Sequence, residues 1–412
     1  MIAYEKIWYI DIVLERLFNM SYKFSEKMDH LKPSVIREIL KYSSDPAVIP
    51  FSAGNPAPEA FPVEKVQAIS ANILAKEPIA ALQYSITEGY PKLIEAVTND
   101  LKNRLHIGAD TDRVIITSGA QQGIDLTVKS FCSKGDVIIC ESPSFVGSLN
   151  AFKASEATLV GVPMDEDGMN MEQLEDALKA NPTAKLIYTI PNFQNPSGIT
   201  MSMEKRRKMY QLAKQYGVCI IEDNPYGDLR FAGEDVPAIK TLDEDGIVIY
   251  CGSFSKVLSP GLRVGFVCAN ADIIQKITVL KQTNDVHTNI LAQMVAYHFM
   301  TECDFVGHLE NLRKIYKHKA ELMLSEMDKH FSKNVTWTIP QGGLFLWCTL
   351  PEDQDMLAFC QDAVKNHKVA VVPGNAFMTS DDVPTTSFRM NYSTPTDEQI
   401  IAGVKILGDL MK

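Results

Sequence analysis

From about residue 90 the chain alternates between short apolar runs rich in Val and Ile and longer helical stretches. "DRVIITSG" reads as a strand and "AQQGIDLTVKSFC" as the helix after it. "DVIICESP", "ATLVGVPM", "KLIYTIPN", "VCIIEDNP", "IVIYCGSFS" and "RVGFVCAN" are further strands, with helices such as "MEQLEDALKA" and "SMEKRRKMYQLAKQYG" between several of them. Continuously apolar strands alternating with helices predict a mostly parallel sheet covered on both faces. Such sheets carry ligands at the carboxyl ends of their strands.

A long helical region runs from about 270 to 330, and the texture then changes. "VTWTIPQGGLFLWCTL", "VAVVPGNAF" and "TTSFRMNYS" are strands with polar interruptions, mixed with helices, and predict a smaller α+β domain. "SVIREILKYSS", before residue 50, is helical and is expected to pack on that domain. There is no internal repeat, low-complexity tract or long linker.

The chain's 412 residues exceed one ordinary core, so two domains are the natural expectation. Apolar residues make up 46% and charged residues 22%, a globular balance. A net charge of −11 argues against general binding to nucleic acid or an anionic membrane. The eight cysteines are scattered without a CxxC pair, which argues against a disulfide framework or a metal site and fits a reducing cytoplasm. No segment reads as membrane-spanning. The first twenty residues are apolar but broken by Glu5, Lys6, Asp11, Glu15 and Arg16, a poor signal peptide. They read as an amphipathic helix or as an extension upstream of a start at Met20.

Every chemically informative stretch follows a predicted strand. "TSGAQQG" (117–123) opens a helix whose N-terminal N–H groups suit an anion, although an ordinary strand-to-helix turn looks the same. It is not a dinucleotide fingerprint, because GxGxxG is absent. "PNFQNPSG" (191–198) places Asn195 before a proline, rigid enough to aim an amide at a ligand oxygen, and makes Asn195–Pro196 a candidate cis bond. "EDNPYGDL" (222–229) ends an apolar strand on Asp223, which needs a cationic partner if buried. In "SFSKVLSPGLRVGF" (253–266), Ser253, Ser255 and Arg263 suit a phosphate. Lys256 there has no acidic neighbour, as a nucleophilic amine requires. Arg389, in "SFRMNYS", lies on an otherwise apolar strand and requires an anion, bound or internal. Each feature has a bland reading. Their conjunction matches what pyridoxal 5′-phosphate demands.

From about residue 22 to its end the chain resembles the fold-type I, pyridoxal-phosphate-dependent aminotransferases of class I/II. Within them it is most similar to the 2-aminoadipate/kynurenine aminotransferase group, through "KPSVIREIL", "FSAGNPAPEAFP", "LQYSITEGYPKL" and "ITSGAQQGIDL". The resemblance implies an α/β fold with a seven-stranded, mostly parallel sheet. It divides the chain into an extension (1–19), an arm on the small domain (20–55), a large cofactor domain (56–300) and a small domain (301–412). It implies that Lys256 links to the cofactor and shuttles the Cα proton, that Asp223 keeps the pyridine nitrogen protonated, and that Asn195 and Tyr226 bond the ring's phenolic oxygen. Ala120, Gln121, Ser253, Ser255 and Arg263 would hold the phosphate, and Phe145, where the group usually has tyrosine, would stack on the ring. Tyr84 would reach the phosphate of a neighbouring subunit in a homodimer. Arg389 would clamp the substrate α-carboxylate beside Asn195, with Gly54 leaving room.

The implied reaction passes an amino group from 2-aminoadipate, glutamate, an aromatic or a branched-chain donor to an oxo acid, 2-oxoglutarate by expectation. Arg37, the implied contact for a distal acidic group, favours the first two, unless it lies on a helix surface. Cleavage of a C–S bond on the same cofactor is a rival. An aminotransferase-like domain of a transcription regulator is another, disfavoured by the acidic chain.

Overall fold

The strands that carry these motifs sit side by side in one sheet, in the order β1-β8-β7-β6-β5-β2-β3-β4. They are β1 (Asp112–Thr117), β2 (Val137–Ser142), β3 (Thr158–Asp165), β4 (Gly168–Met169), β5 (Ala184–Thr189), β6 (Cys219–Asn224), β7 (Val248–Ser253) and β8 (Gly265–Asn270). The pairings β2–β3, β2–β5, β5–β6 and β6–β7 are parallel. The run "RVGFVCAN" enters as β8, antiparallel to both β1 and β7. Eight strands stand where seven were expected. The extra one is the two-residue β4, which folds back on the end of β3 through Met164 and Met169.

This computed structural model describes residues 22–30, 45–351, 355–380 and 383–412. The first twenty-one residues and the helix expected at "SVIREILKYSS", with Arg37, lie outside the described residues. Residues 22–30 belong to a unit of their own, with a 3₁₀ turn at Glu26–His30 and the Tyr22 and Phe24 rings 6.1 Å apart.

The strands read as continuously apolar because both faces are covered. Ile139, Ile187, Ile220 and Val248 pack with Leu174, Leu178, Met209 and Leu212 from the helices Met171–Ala180 and Met203–Tyr216. Their strand neighbours Ile138, Leu186, Ile221 and Ile249 enter the other layer, with Ile124 and Val128 of the helix Ala120–Phe131. Each such side chain contributes about 1.5–3 kcal/mol on burial. Asn170 and Ser202 start the first two helices by accepting from Gln173 N and Lys205 N, and Gly217 ends the second at φ 68°.

A second, antiparallel sheet runs in the order β11-β12-β10-β9. Its strands are β9 (Thr336–Trp337), β10 (Phe345–Thr349), β11 (Val372–Pro373) and β12 (Ser387–Asn391). The helices Phe305–His330, Met356–His367 and Asp397–Leu410 complete this part. Residues 49 to 51 are tied to it. Ile49 bridges Val369, and Phe51 O accepts from Asn391 N at 2.8 Å.

Candidate active site

The carboxyl ends of β1, β5, β6 and β7 deliver four loops to one edge of the large sheet, and β12 brings Arg389 to the same place. Lys256 follows β7. Its Nζ donates to Gly54 O at 2.7 Å. Loss of solvent around the amine, then the nearby charges of Arg389 and Arg263, bring its pKa down to about 8. A Cβ built on Gly54 would meet only Phe345, at 3.9 Å, so within this chain Gly54 contributes its carbonyl more than empty space.

Asp223 ends β6 fully buried. Its Oδ2 accepts from the Tyr188 hydroxyl at 2.8 Å, while Oδ1 has no partner among the described residues. Burial pushes the carboxyl up to about 7, with the Tyr188 bond working against it. The Tyr188 oxygen in turn accepts from Ser148 Oγ at 2.8 Å.

Arg389 is buried in β12. It donates to Asn195 Oδ1 at 2.9 Å and to the carbonyls of Ser52 and Ala53 at 2.8 and 3.3 Å. Its guanidinium carbon lies 4.3 Å from the Phe345 ring centre and 5.1 Å from that of Phe377. Nε has no partner, and no carboxylate pairs with the group among the described residues. The internal salt bridge open to the sequence is therefore absent there, and burial lowers its pKa to about 10. Asn195 Nδ2 faces the Tyr226 hydroxyl at 3.4 Å, and the Asn195–Pro196 bond is cis.

The fourth group gathers where β1 meets the helix Ala120–Phe131. Gly119 precedes the helix at φ 80°, with no side chain capping it, so Ala120 and Gln121 open the helix. Arg263 reaches Ser118 O at 3.2 Å and Ser255 Oγ at 3.5 Å. Ser253 Oγ accepts from Ser255 N at 3.1 Å. Gln121 Nε2 donates to Gly147 O, and Phe145 flanks this turn at the start of the helix Val146–Ala154. Two hydroxyls, a guanidinium and a helix N-terminus thus meet. Tyr84 stands apart, 82% exposed, its ring edge-on to His287 at 5.8 Å.

Sequence reasoning missed several supporting residues. Tyr188 and Ser148 sit in an apolar run and on a helix, and nothing local marks them. Glu141, buried at the end of β2, accepts from Thr189 Oγ1, Ile190 N and Gln194 Nε2 and so braces the loop that carries Asn195. Behind the helix start, Asp285 accepts from Ser118, Gln122 and Lys281.

The residues fit pyridoxal 5′-phosphate. The orphaned Oδ1 of Asp223 is an acceptor awaiting a ring N–H. The turn at Gly119 has no room for a side chain, since a Cβ would fall 2.3 Å from Arg263 Nη2. Among the described residues no group of side chains could hold a metal ion.

A profile of the family described as aminotransferase class I and II matches residues 46–407. The aromatic-amino-acid aminotransferase 1 of Thermococcus litoralis is 40% identical over 393 residues, 94% of each chain. The kynurenine aminotransferase of Pyrococcus horikoshii, solved with PMP, superposes with a TM-score of 0.91 at 36% identity, covering 94% of this chain and 96% of that one. The alpha-aminoadipate aminotransferase of Thermus thermophilus, solved with N-(5′-phosphopyridoxyl)-L-leucine, gives 0.86 at 35% identity, covering 94% and 97%.

Proposed function

This chain belongs to the class I and II aminotransferases, pyridoxal-phosphate enzymes that pass an amino group from an amino acid to a 2-oxo acid, and on that premise we propose how its residues divide the work. Bound here, pyridoxal phosphate supplies an aldehyde for the amino group and a ring that draws electrons from the substrate Cα. Lys256, kept short of solvent and beside two arginines, would be the amine that links to the aldehyde, with loss of water. Its amine would also serve as the general base that takes the proton from the substrate Cα and returns one, with a pKa brought down to about 8. Asp223 Oδ1 would accept from the ring N–H. Asn195 and Tyr226 would hold the ring's phenolic oxygen, and Phe145 would cover a ring face. Ala120, Gln121, Ser253, Ser255 and Arg263 hold the phosphate. Arg389 takes the substrate α-carboxylate, with Asn195 alongside.

The observation that carries this reading is a pair of cations, Lys256 and Arg389, that rest on the backbone carbonyls of 52–54 and on an amide. No carboxylate of the chain pairs with either among the described residues. A buried arginine left so is complementary to an incoming carboxylate. The donor is drawn from 2-aminoadipate, glutamate, aromatic and branched-chain amino acids, and the acceptor is 2-oxoglutarate. The active form is a homodimer in which Tyr84 of one copy reaches the phosphate site of the other. Exposed apolar side chains around it, Ile79, Leu82 and Ile86, support that surface as the meeting place.

The visible spectrum of the holoprotein tests this. The expected result is a yellow protein that bleaches with one of these donors and regains colour with 2-oxoglutarate. Failure to take up pyridoxal phosphate, or release of pyruvate and ammonia without a coloured return, would sink it.

A further inference from the structure

The two oxygens of Asp223 are unequal. Among the described residues Oδ1 has no partner, while Oδ2 is the end of a chain of hydroxyls running from Ser148 Oγ to the Tyr188 oxygen to Asp223, each link 2.8 Å. Ser148 and Tyr188 are 0% exposed and Asp223 2% exposed, so water does not substitute for either hydroxyl. Tyr188 is clamped from the side, its ring edge-on to Phe152 at 5.3 Å.

The direction of the chain follows from donor and acceptor capacity. An ionised carboxylate only accepts, so the single Tyr188 proton points at Oδ2, and the Tyr188 oxygen is left to accept from Ser148. Tyr188 cannot surrender that proton, because burial and the Asp223 charge hold its pKa well above the usual value. The titratable groups facing Asp223 are Glu141 from β2, Tyr188 from β5, Tyr226 from the loop after β6 and Cys251 from β7. Among the described residues Tyr188 alone donates to it.

A proton shared between Asp223 and a cofactor ring has two homes. It sits on the ring nitrogen and leaves a carboxylate, or on Oδ1 and leaves a neutral ring. A donor fixed on Oδ2 stabilises the carboxylate, and a second donor behind it strengthens the first. Resting on the assignment of the cofactor above, we propose that Tyr188, oriented by Ser148, is a positioning residue that holds Asp223 ionised and thereby keeps the shared proton on the ring nitrogen.

The test reads the proton directly. Holoprotein is reconstituted with pyridoxal phosphate labelled with ¹⁵N in the ring, and the ring ¹⁵N shift is recorded for the wild type, Tyr188→Phe, Ser148→Ala and Ser148→Thr. The wild type should show a protonated ring. Tyr188→Phe should move the shift towards that of neutral pyridine and weaken cofactor binding about tenfold, the loss of one charge-assisted bond. Ser148→Ala should move it the same way by less, and Ser148→Thr, which keeps a hydroxyl, should restore it. A purely structural role would change affinity and leave the shift in place. A wild-type shift in Tyr188→Phe overturns the proposal. If that variant does not fold, an unchanged shift in Ser148→Ala overturns it. A wild-type protein that binds no cofactor fails the site assignment as well, so the two failures are distinguishable.

Discussion

In the proposed role, Lys256 would owe its reactivity to where its amine is kept, since among the described residues no carboxylate stands beside it. Burial and then two guanidinium groups disfavour the charged form and bring its pKa to about 8. Below that value the amine is protonated and inert, and above it the free amine prevails. The rate at which cofactor-free protein captures pyridoxal phosphate should therefore climb from pH 7 to 9 and then level, as stopped-flow absorbance would show. Arg389→Leu removes one of the like charges, so the midpoint should move to higher pH. The same variant should bind amino-acid substrate at least about thirtyfold more weakly, the cost of removing one partner of a buried charge pair. A midpoint that stayed put would mean Arg389 does not act on Lys256. Lys256, Asp223 and Arg389, which the structure brings to one edge of the sheet, could be singled out in the sequence because a charged residue in an apolar strand, at its end or in the turn after it contradicts its surroundings. Tyr188 could not, because a tyrosine in "KLIYTI" looks like any core aromatic and its hydroxyl matters only where β6 is its neighbour.

Among the elements, the turn from β1 into the helix Ala120–Phe131 leaves little freedom. Gly119 sits at φ 80°, with Arg263 where its Cβ would be, and a Cβ on Gly265 would come within 2.6 Å of Ala120 N. Gly119→Ala should displace Arg263 and weaken pyridoxal phosphate by about tenfold or more, while leaving the affinity for unphosphorylated pyridoxal nearly unchanged. Equal losses for both would place the damage outside the phosphate cradle. The long strands announced themselves because they are apolar on both faces. The shorter sheet was harder to read. "VTWTIPQGGLFLWCTL" is two strands, since Pro340 and the turn through Gly343, at φ 76°, interrupt it. "VAVVPGNAF" pairs with β12 only at Val372 and Pro373, after a bridge from Val369 to Ile49 and before a 3₁₀ turn. β4 was invisible, because two residues that pair only through a fold-back carry no pattern of their own.

For the whole molecule, the homodimer proposed above has a direct test. Lys256→Ala lacks the nucleophile, and Tyr84→Ala lacks the residue offered to the partner. In a hybrid of the two, one site carries both defects and the other neither. Equal amounts, unfolded and refolded together, should recover about a quarter of wild-type activity from two impaired parents, since half the dimers are hybrids with one intact site. A mixture no better than the parents' average would exclude the shared site. The carbonyls of residues 52–54 bear on behaviour in solution too. Being neutral, they hold Lys256 and Arg389 without cancelling either charge, within a chain whose net charge is −11. An acidic amino acid is repelled by the exterior and drawn in by the interior. Ionic strength pulls both ways on its capture: at 0.1 M, screening over about 10 Å lifts the outer repulsion, while chloride or sulfate competes for the guanidinium within.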